Sequence, residues 1–430
     1  MKMFGSMEII DNNLYIGGIS AKELTEKFGT PLYVYDEALL IDNMRRYKAS
    51  FNQGINEVAY AGKAFLTIAM CQLLKAEGVS LDVVSGGELY TALKSGFPMD
   101  KVYFHGNNKT EDEIIMGIEN GVGRFVVDNY YELQLINKFA MEKGIVQDIL
   151  MRVSPGISAH THKYIMTGQV DSKFGFSIFS EDTIKAIKEA SQLKNINFCG
   201  IHSHIGSQIF ETEPYLQEIE VLLSYCSRLL NGYGVQVQEL DLGGGFGIYY
   251  KDGDEPKEIE DICTAIIKHS TEFSKDLNIK LPKLIIEPGR SIVGNAGTTL
   301  YTIGSIKDIE NVKKYVSVDG GMTDNIRPAL YDAEYECAIA NGVEGSKQEQ
   351  VTISGKCCES SDILLEQVSV PKAESGDILA VPSTGAYGYS MSSNYNKIRK
   401  AAVVFVKDGE AKLVCRRQSY EDLIKNEISL

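Results

Sequence analysis

The sequence predicts an α/β fold, a (β/α)8 TIM barrel joined to a second, mostly β C-terminal domain. Three observations predict it. Short apolar runs recur eight times between residues 58 and 290. Most of the intervening segments carry apolar residues at helical spacing. Nearly every run ends in a polar residue or glycine, and barrel enzymes collect their chemistry at the carboxyl ends of their strands. A chain of 430 residues, 44% apolar and 23% charged, can bury a large core and is long enough for two or three domains. A doubly wound open sheet is the competing architecture, and the succession of polar strand ends favours the barrel.

In chain order the runs are VAYAGKA (58–64), LDVVSGG (81–87), KVYFHGNN (101–108), GRFVVDN (123–129), DILMRVSPG (148–156), FCGIHSHIG (198–206), VQELDLGGG (237–245) and KLIIEPGR (283–290). Their ends present Lys63, Ser85 with Gly86, His105, Asp128, Arg152, His202 with His204, Gly243 to Gly245, and Glu287 with Arg290. Helical spacing marks Glu88 to Gly96, Glu111 to Asn120, Tyr130 to Lys143, Asp182 to Leu193, Pro214 to Leu230 and Glu258 to Asp276. After Arg290 the pattern changes to short alternating runs, VSVDGG, EQVTISGK, GDILAVPS and AAVVFVKDGEAKLVCR, and Asp408-Gly409 in the last is a hairpin signal. The strand-like Leu14 to Ile16 and Leu32 to Tyr35 are expected to join them. The expected domains are therefore a barrel over 36–290 and a β domain over 1–35 plus 291–430.

Lys and Arg number 43 against 58 Asp and Glu, a formal net charge of −15, so the field of the chain repels polyanions. Neither nucleic acid nor an anionic membrane is expected as a partner. The first residues, MKMFGSMEIIDNN, lack the apolar stretch of a secretory signal, and the apolar-rich stretch near Phe65 to Leu74 is too short to span a bilayer. A soluble cytoplasmic protein is expected. Eight cysteines (71, 199, 226, 263, 337, 357, 358, 415) form no CxxC pair, which indicates neither a disulfide framework nor a zinc knuckle. His160/His162 and His202/His204 are His-x-His pairs without a nearby third ligand at metal spacing, so no metal is expected.

Lys63 sits among small residues, Tyr60-Ala61-Gly62-Lys63-Ala64, and on a strand it would share a face with Ala59, Ala61 and Phe65 and point into the barrel. An amine held there is suited to Schiff-base chemistry with a carbonyl, although a strand-end lysine can also simply reach solvent. The run Asp241-Leu-Gly243-Gly244-Gly245-Phe-Gly247 follows the seventh strand, where backbone can close around a phosphate with no Cβ in the way. It is not a dinucleotide fingerprint, because Gly-x-Gly-x-x-Gly is absent. Glu287 and Arg290 could be a local ion pair. Taken with Lys63 and the glycines, they complete an aldehyde trap, a phosphate cradle and an acid for a ring nitrogen, which together describe a pyridoxal 5'-phosphate site.

These residues resemble the fold-type-III pyridoxal-phosphate decarboxylases over nearly the whole chain. The motifs are Tyr60-Ala-Gly-Lys63-Ala, His202-Ser-His204-Ile-Gly-Ser207-Gln, Gly243-Gly-Gly-Phe-Gly, Glu287-Pro-Gly-Arg290, Asp324-Asn-Ile-Arg327-Pro-Ala-Leu-Tyr331, Cys358-Glu359 and Gly385-Ala-Tyr387. The resemblance implies that Lys63 bonds the cofactor aldehyde, His204 stacks on the ring and Glu287 pairs with the pyridine nitrogen. It implies a phosphate and substrate shell of Ser207, Gly243 to Gly245, Arg290 and Tyr387. It also implies a homodimer with shared active sites, in which Cys358 from one subunit donates a proton near the substrate Cα in the other. Two departures stand out. Ser361 replaces the family's usual glycine, and Phe65 stands where many members carry asparagine.

Arg290, Arg327 and Tyr331 resemble the family's clamp for a distal carboxylate, and Glu359 its partner for a distal ammonium. Such a clamp suits meso-2,6-diaminopimelate, because a planar guanidinium binds carboxylate in bidentate fashion and ornithine or lysine offers none at that end. The implied activity is decarboxylation of that substrate to L-lysine and CO2. Decarboxylases of ornithine or carboxynorspermidine are the nearest alternatives. An amino-acid racemase is disfavoured by Glu287, because alanine racemases place an arginine at the ring nitrogen. A non-catalytic cofactor-binding regulator is disfavoured by the presence of both Lys63 and Cys358.

Overall fold

The computed structural model describes residues 1–157, 173–346 and 349–430. His160, His162 and the first two positions of the 171–175 loop lie outside them. Two compact units result: Met44–Gly247 with Pro256–Gly289, and Met1–Asn43 with Ile248–Glu255 and Arg290–Leu430. The sequence-based limits differ from these at residues 36–43, 248–255 and 290.

The first unit is a closed parallel barrel. Its strands are Glu57–Ala61, Ser80–Val83, Val102–Phe104, Arg124–Val127, Gln147–Ser154, Ile196–His202, Glu239–Asp241 and Lys283–Ile286, each paired in parallel with the next. The eighth pairs with the first, which closes the ring. Ala59, Tyr103, Val126, Leu150, Cys199 and Ile285 meet as one buried cluster, so the interior is packed with side chains and is not a channel.

Helices follow the strands at local signals. Ser85, Thr110 and Asn129 cap Gly86–Ser95, Glu111–Glu119 and Tyr130–Lys143 with their side-chain oxygens, and Gly96 and Gly144 end two of these helices in the left-handed conformation. Glu181–Ala190, Glu213–Tyr233 and Ile259–Asp276 complete the six helices expected from spacing. Two further helices, Glu37–Phe51 and Ile68–Glu77, carry no such expectation. The alternation of strand and helix expected eight times is shortened at its last step, where Arg290–Val293 is a single turn.

Lys63 needs a second correction. The first strand ends at Ala61, and Lys63 lies in a 3-10 turn, Gly62–Ala64, just beyond it. A Cβ on Gly62 would come within 2.7 Å of the Asp82 carbonyl, so only glycine lets the chain turn there. The Tyr60 hydroxyl fixes the turn by donating to the Phe65 carbonyl at 2.7 Å.

The second unit is mostly sheet. Its largest path runs Ile363–Val370, Glu349–Ser354, Lys313–Val318, Gly297–Ile309, Leu32–Asp36, Ala402–Lys407 and Glu410–Cys415. The last two form the expected antiparallel hairpin, with Asp408 and Gly409 at φ 52° and 78°. Leu14 and Ile16 are buried in the same core as Leu32, Val34, Ala402 and Val404, which brings the N-terminal strands into this unit.

Candidate active site

Four polar side chains from four strand ends converge at the carboxyl mouth of the barrel. His105, His202, Asp241 and Glu287 are buried, and their polar atoms lie within 4.8 Å of one another. Nε2 of His105 stands 2.7 Å from one Glu287 oxygen, and Nε2 of His202 stands 3.2 Å from the other. Burial opposes charge on Glu287, yet the two imidazoles outweigh it and hold the carboxyl well below the usual carboxylate range. Burial pushes His202 down to about 3, so it is neutral at pH 7. Burial and then the Glu287 charge push Asp241 far up, so of the two carboxyls Glu287 is the one held low. The arrangement favours negative charge on Glu287 over Asp241.

Lys63 is half-buried at the same mouth, and its charge acts on both Asp82 and His204. Burial, then Lys63 and Arg152, hold His204 well below the usual histidine range. The Gly244 amide donates to Nδ1 of His204 at 3.3 Å, and the Gly243 amide donates to Asp241 at 2.9 Å. These two amides are thus committed within the protein. What the glycine run supplies is clearance: a Cβ would approach the Ser203 carbonyl to 2.6 Å from Gly243, the Glu287 carbonyl to 2.1 Å from Gly244 and the Gly206 carbonyl to 2.4 Å from Gly245. Gly243 and Gly245 also take φ values of 64° and 100°. Ser207 is half-buried in the loop after His204. An amine, a neutral imidazole and a carboxylate held low at one barrel mouth fit the aldehyde, ring and ring nitrogen of pyridoxal phosphate.

In the sheet unit, Arg290 and Arg327 are buried among tyrosines. Arg290 donates through Nη1 to the Tyr250 hydroxyl and lies over the Tyr387 ring, 4.9 Å from its centroid. Tyr387 holds that place with φ at 60°, unusual for a bulky residue. Arg327 donates through Nη1 to the Tyr335 hydroxyl at 2.5 Å and lies 4.7 Å from the Tyr250 centroid. Tyr331 ends the short helix Arg327–Tyr331 and is half-buried.

Cys358 and Glu359 occupy the turn between the strands Glu349–Ser354 and Ile363–Val370, and both are exposed. The Cys358 amide donates to Asn396 at 2.7 Å, and the Cys357 amide donates to Asp362 at 2.7 Å. Ser361 keeps its φ out of the left-handed region, so the missing glycine costs the turn no strain. Its amide and hydroxyl both donate to Glu359 at 3.3 Å.

Sequence reasoning singled out His105 and His202 as strand-end residues without linking them to Glu287. It did not single out Tyr335, or Tyr250, whose position in Gly247-Ile-Tyr-Tyr250 after the glycine run was the available signal.

Residues 37–294 match the family described as pyridoxal-dependent decarboxylase, pyridoxal binding domain, which defines the class of the barrel and its site. The diaminopimelate decarboxylase of Bacillus subtilis is 49% identical over 415 residues, 96% of this chain and 94% of that protein. The enzyme of the same name from Halalkalibacterium halodurans is 50% identical over 97% of this chain and 96% of its own. The solved diaminopimelate decarboxylase from M. jannaschii, in complex with L-lysine, superposes with a TM-score of 0.93 at 39% identity, covering 99% of this chain and 98% of that one. The chain belongs to the diaminopimelate decarboxylase family of pyridoxal-dependent decarboxylases.

Proposed function

We propose that the protein decarboxylates meso-2,6-diaminopimelate at its D centre, giving L-lysine and CO2 in lysine biosynthesis. The observation that carries this reading is Glu287 at the barrel mouth, with Nε2 of His105 at 2.7 Å from one oxygen and Nε2 of His202 at 3.2 Å from the other. Pyridoxal phosphate, when bound, supplies an aldehyde that bonds amines and a ring that withdraws electrons from the carbon that loses CO2. Glu287 holds a proton at the ring nitrogen, which makes that withdrawal strong. Lys63 offers the amine that retains the cofactor, and His204 offers a neutral ring face. Ser207, Arg290, Tyr387 and the Gly243 to Gly245 turn form the phosphate and substrate shell.

Arg290, Arg327 and Tyr331 take the distal carboxylate, and Glu359 takes the distal ammonium. Cys358 donates a proton at the substrate Cα. Its exposure suits contact with a neighbouring subunit, and we read the active enzyme as a homodimer with shared sites. Among the described residues no helix is long and apolar enough to cross a membrane, and we assign the enzyme to the cytoplasm. The test is product analysis after incubating the purified protein and pyridoxal phosphate with meso-diaminopimelate, ornithine or lysine separately. L-Lysine from diaminopimelate alone is the expected result, and putrescine from ornithine would overturn the substrate assignment.

A further inference from the structure

Arg327 is 8% exposed, and the groups that act on it most are phenols: Tyr250, Tyr335 and Tyr387. A buried guanidinium ordinarily takes a carboxylate, and among the described residues no ion pair is made by Arg327. Tyr250 stands between it and Arg290. The phenol oxygen of Tyr250 accepts from Arg290, while its ring face lies against the Arg327 guanidinium, 4.7 Å from centroid to carbon. Tyr335 meets the Tyr250 ring edge-on, with centroids 5.3 Å apart and planes at 89°, and accepts from Arg327 in turn.

We infer that Tyr250 is a positioning residue of the distal-carboxylate subsite, holding Arg290 and Arg327 side by side so that both guanidiniums meet one incoming carboxylate. Two buried like charges repel, and the Tyr250 oxygen and π face offset that repulsion from between them. Burial would raise the Tyr250 phenol, but the two guanidiniums outweigh it and hold the phenol below its usual range. The chemistry also explains why a phenol stands there. An acid would pair permanently with the cations and compete with the substrate carboxylate. A phenol accepts an N–H without matching the charge, and a guanidinium has five donors to share. Tyr335 gives Arg327 the same kind of neutral acceptor.

This inference rests on the proposed substrate, and its test separates the two. The full-length protein loaded with pyridoxal phosphate is compared as wild type, Tyr250→Phe and Tyr335→Phe. Tyr250→Phe removes the acceptor and keeps the ring. It is expected to raise KM for meso-diaminopimelate about tenfold, with kcat held within about twofold. The inhibition constant of D-lysine, which keeps the D centre but lacks the distal carboxylate, should stay unchanged. Tyr335→Phe should act in the same direction. An unchanged KM in both variants overturns the inference. So does a KM that moves by the same factor as the D-lysine constant, the mark of general packing damage. Heptanedioate stabilisation of the protein, read by thermal shift, needs no turnover and should weaken in Tyr250→Phe; equal stabilisation of wild type and variant overturns the inference as well. A wild type that heptanedioate stabilises, but that makes no lysine, overturns the substrate reading and leaves the subsite standing.

Discussion

Nε2 of His105 stands 2.7 Å from Oε1 of Glu287, although the two residues follow the third and eighth strands of the barrel. The contact turns a strand-end histidine into part of an electrostatic device. With His202 on the other oxygen and Asp241 pushed far up beside it, Glu287 is the carboxyl of the cluster held low.

Replacing Glu287 by Gln keeps the shape and removes that charge. Steady-state kcat with meso-diaminopimelate should fall by about 100-fold or more, on the scale of losing one preorganised electrostatic group. The visible absorbance of the loaded protein should show that cofactor is still bound. A loss below about threefold, with cofactor bound, would mean that the charge is not used.

The barrel was legible because its signals are local. Apolar runs and polar strand ends act within a few residues, and so does the Asp408-Gly409 turn. Lys63, His204 and Glu287 were legible for the same reason, as polar residues at strand ends. The Glu287 cluster was not, because closure of the ring, rather than spacing along the chain, brings His105 and His202 to it. Ile68–Glu77 escaped because it buries Met70, Cys71 and Leu74 while exposing Ile68, which blurs the helical stripe. Tyr250 and Tyr335 lay between motifs and had no charge to draw notice.

Glu218 should govern part of the pH dependence of stability. It is fully buried on the helix Glu213–Tyr233, and burial pushes its carboxyl up to about 8 from an ordinary 4.5, with Ser203 as its polar neighbour. Between those values the folded state keeps a proton that the unfolded state releases. The stability it contributes is complete below about 4.5 and is lost as pH rises through about 8, at up to about 1.4 kcal/mol per pH unit. Glu218→Gln cannot release that proton. Its melting temperature should exceed that of the wild type at pH 8, and the gap should shrink toward pH 4.5. A gap independent of pH would contradict this.

Arg327→Ala removes a charge-assisted contact to the distal carboxylate that contributes roughly 1.5 to 3 kcal/mol, and kcat/KM for diaminopimelate should fall on the order of tenfold to a hundredfold. Cofactor loading should survive. An unchanged kcat/KM would remove Arg327 from the substrate clamp.

The shared site can be tested by complementation. Lys63→Ala and Cys358→Ala homodimers should each be nearly inactive. Subunit exchange would place both lesions in one site of a hybrid and leave its other site intact. Random mixing makes about half the dimers hybrid, so activity should recover to about a quarter of wild type. Demonstrated exchange without recovery would mean that Cys358 does not act across a dimer.

The most direct measurement follows CO2 and L-lysine together from meso-diaminopimelate, for wild type and Lys63→Ala, after locating the borohydride-fixed cofactor by peptide mapping. The account predicts one CO2 for each lysine, a cofactor adduct at Lys63 and near-complete loss of both products in Lys63→Ala. Wild-type rates in Lys63→Ala, an adduct on another lysine, or consumption of diaminopimelate without lysine would contradict it.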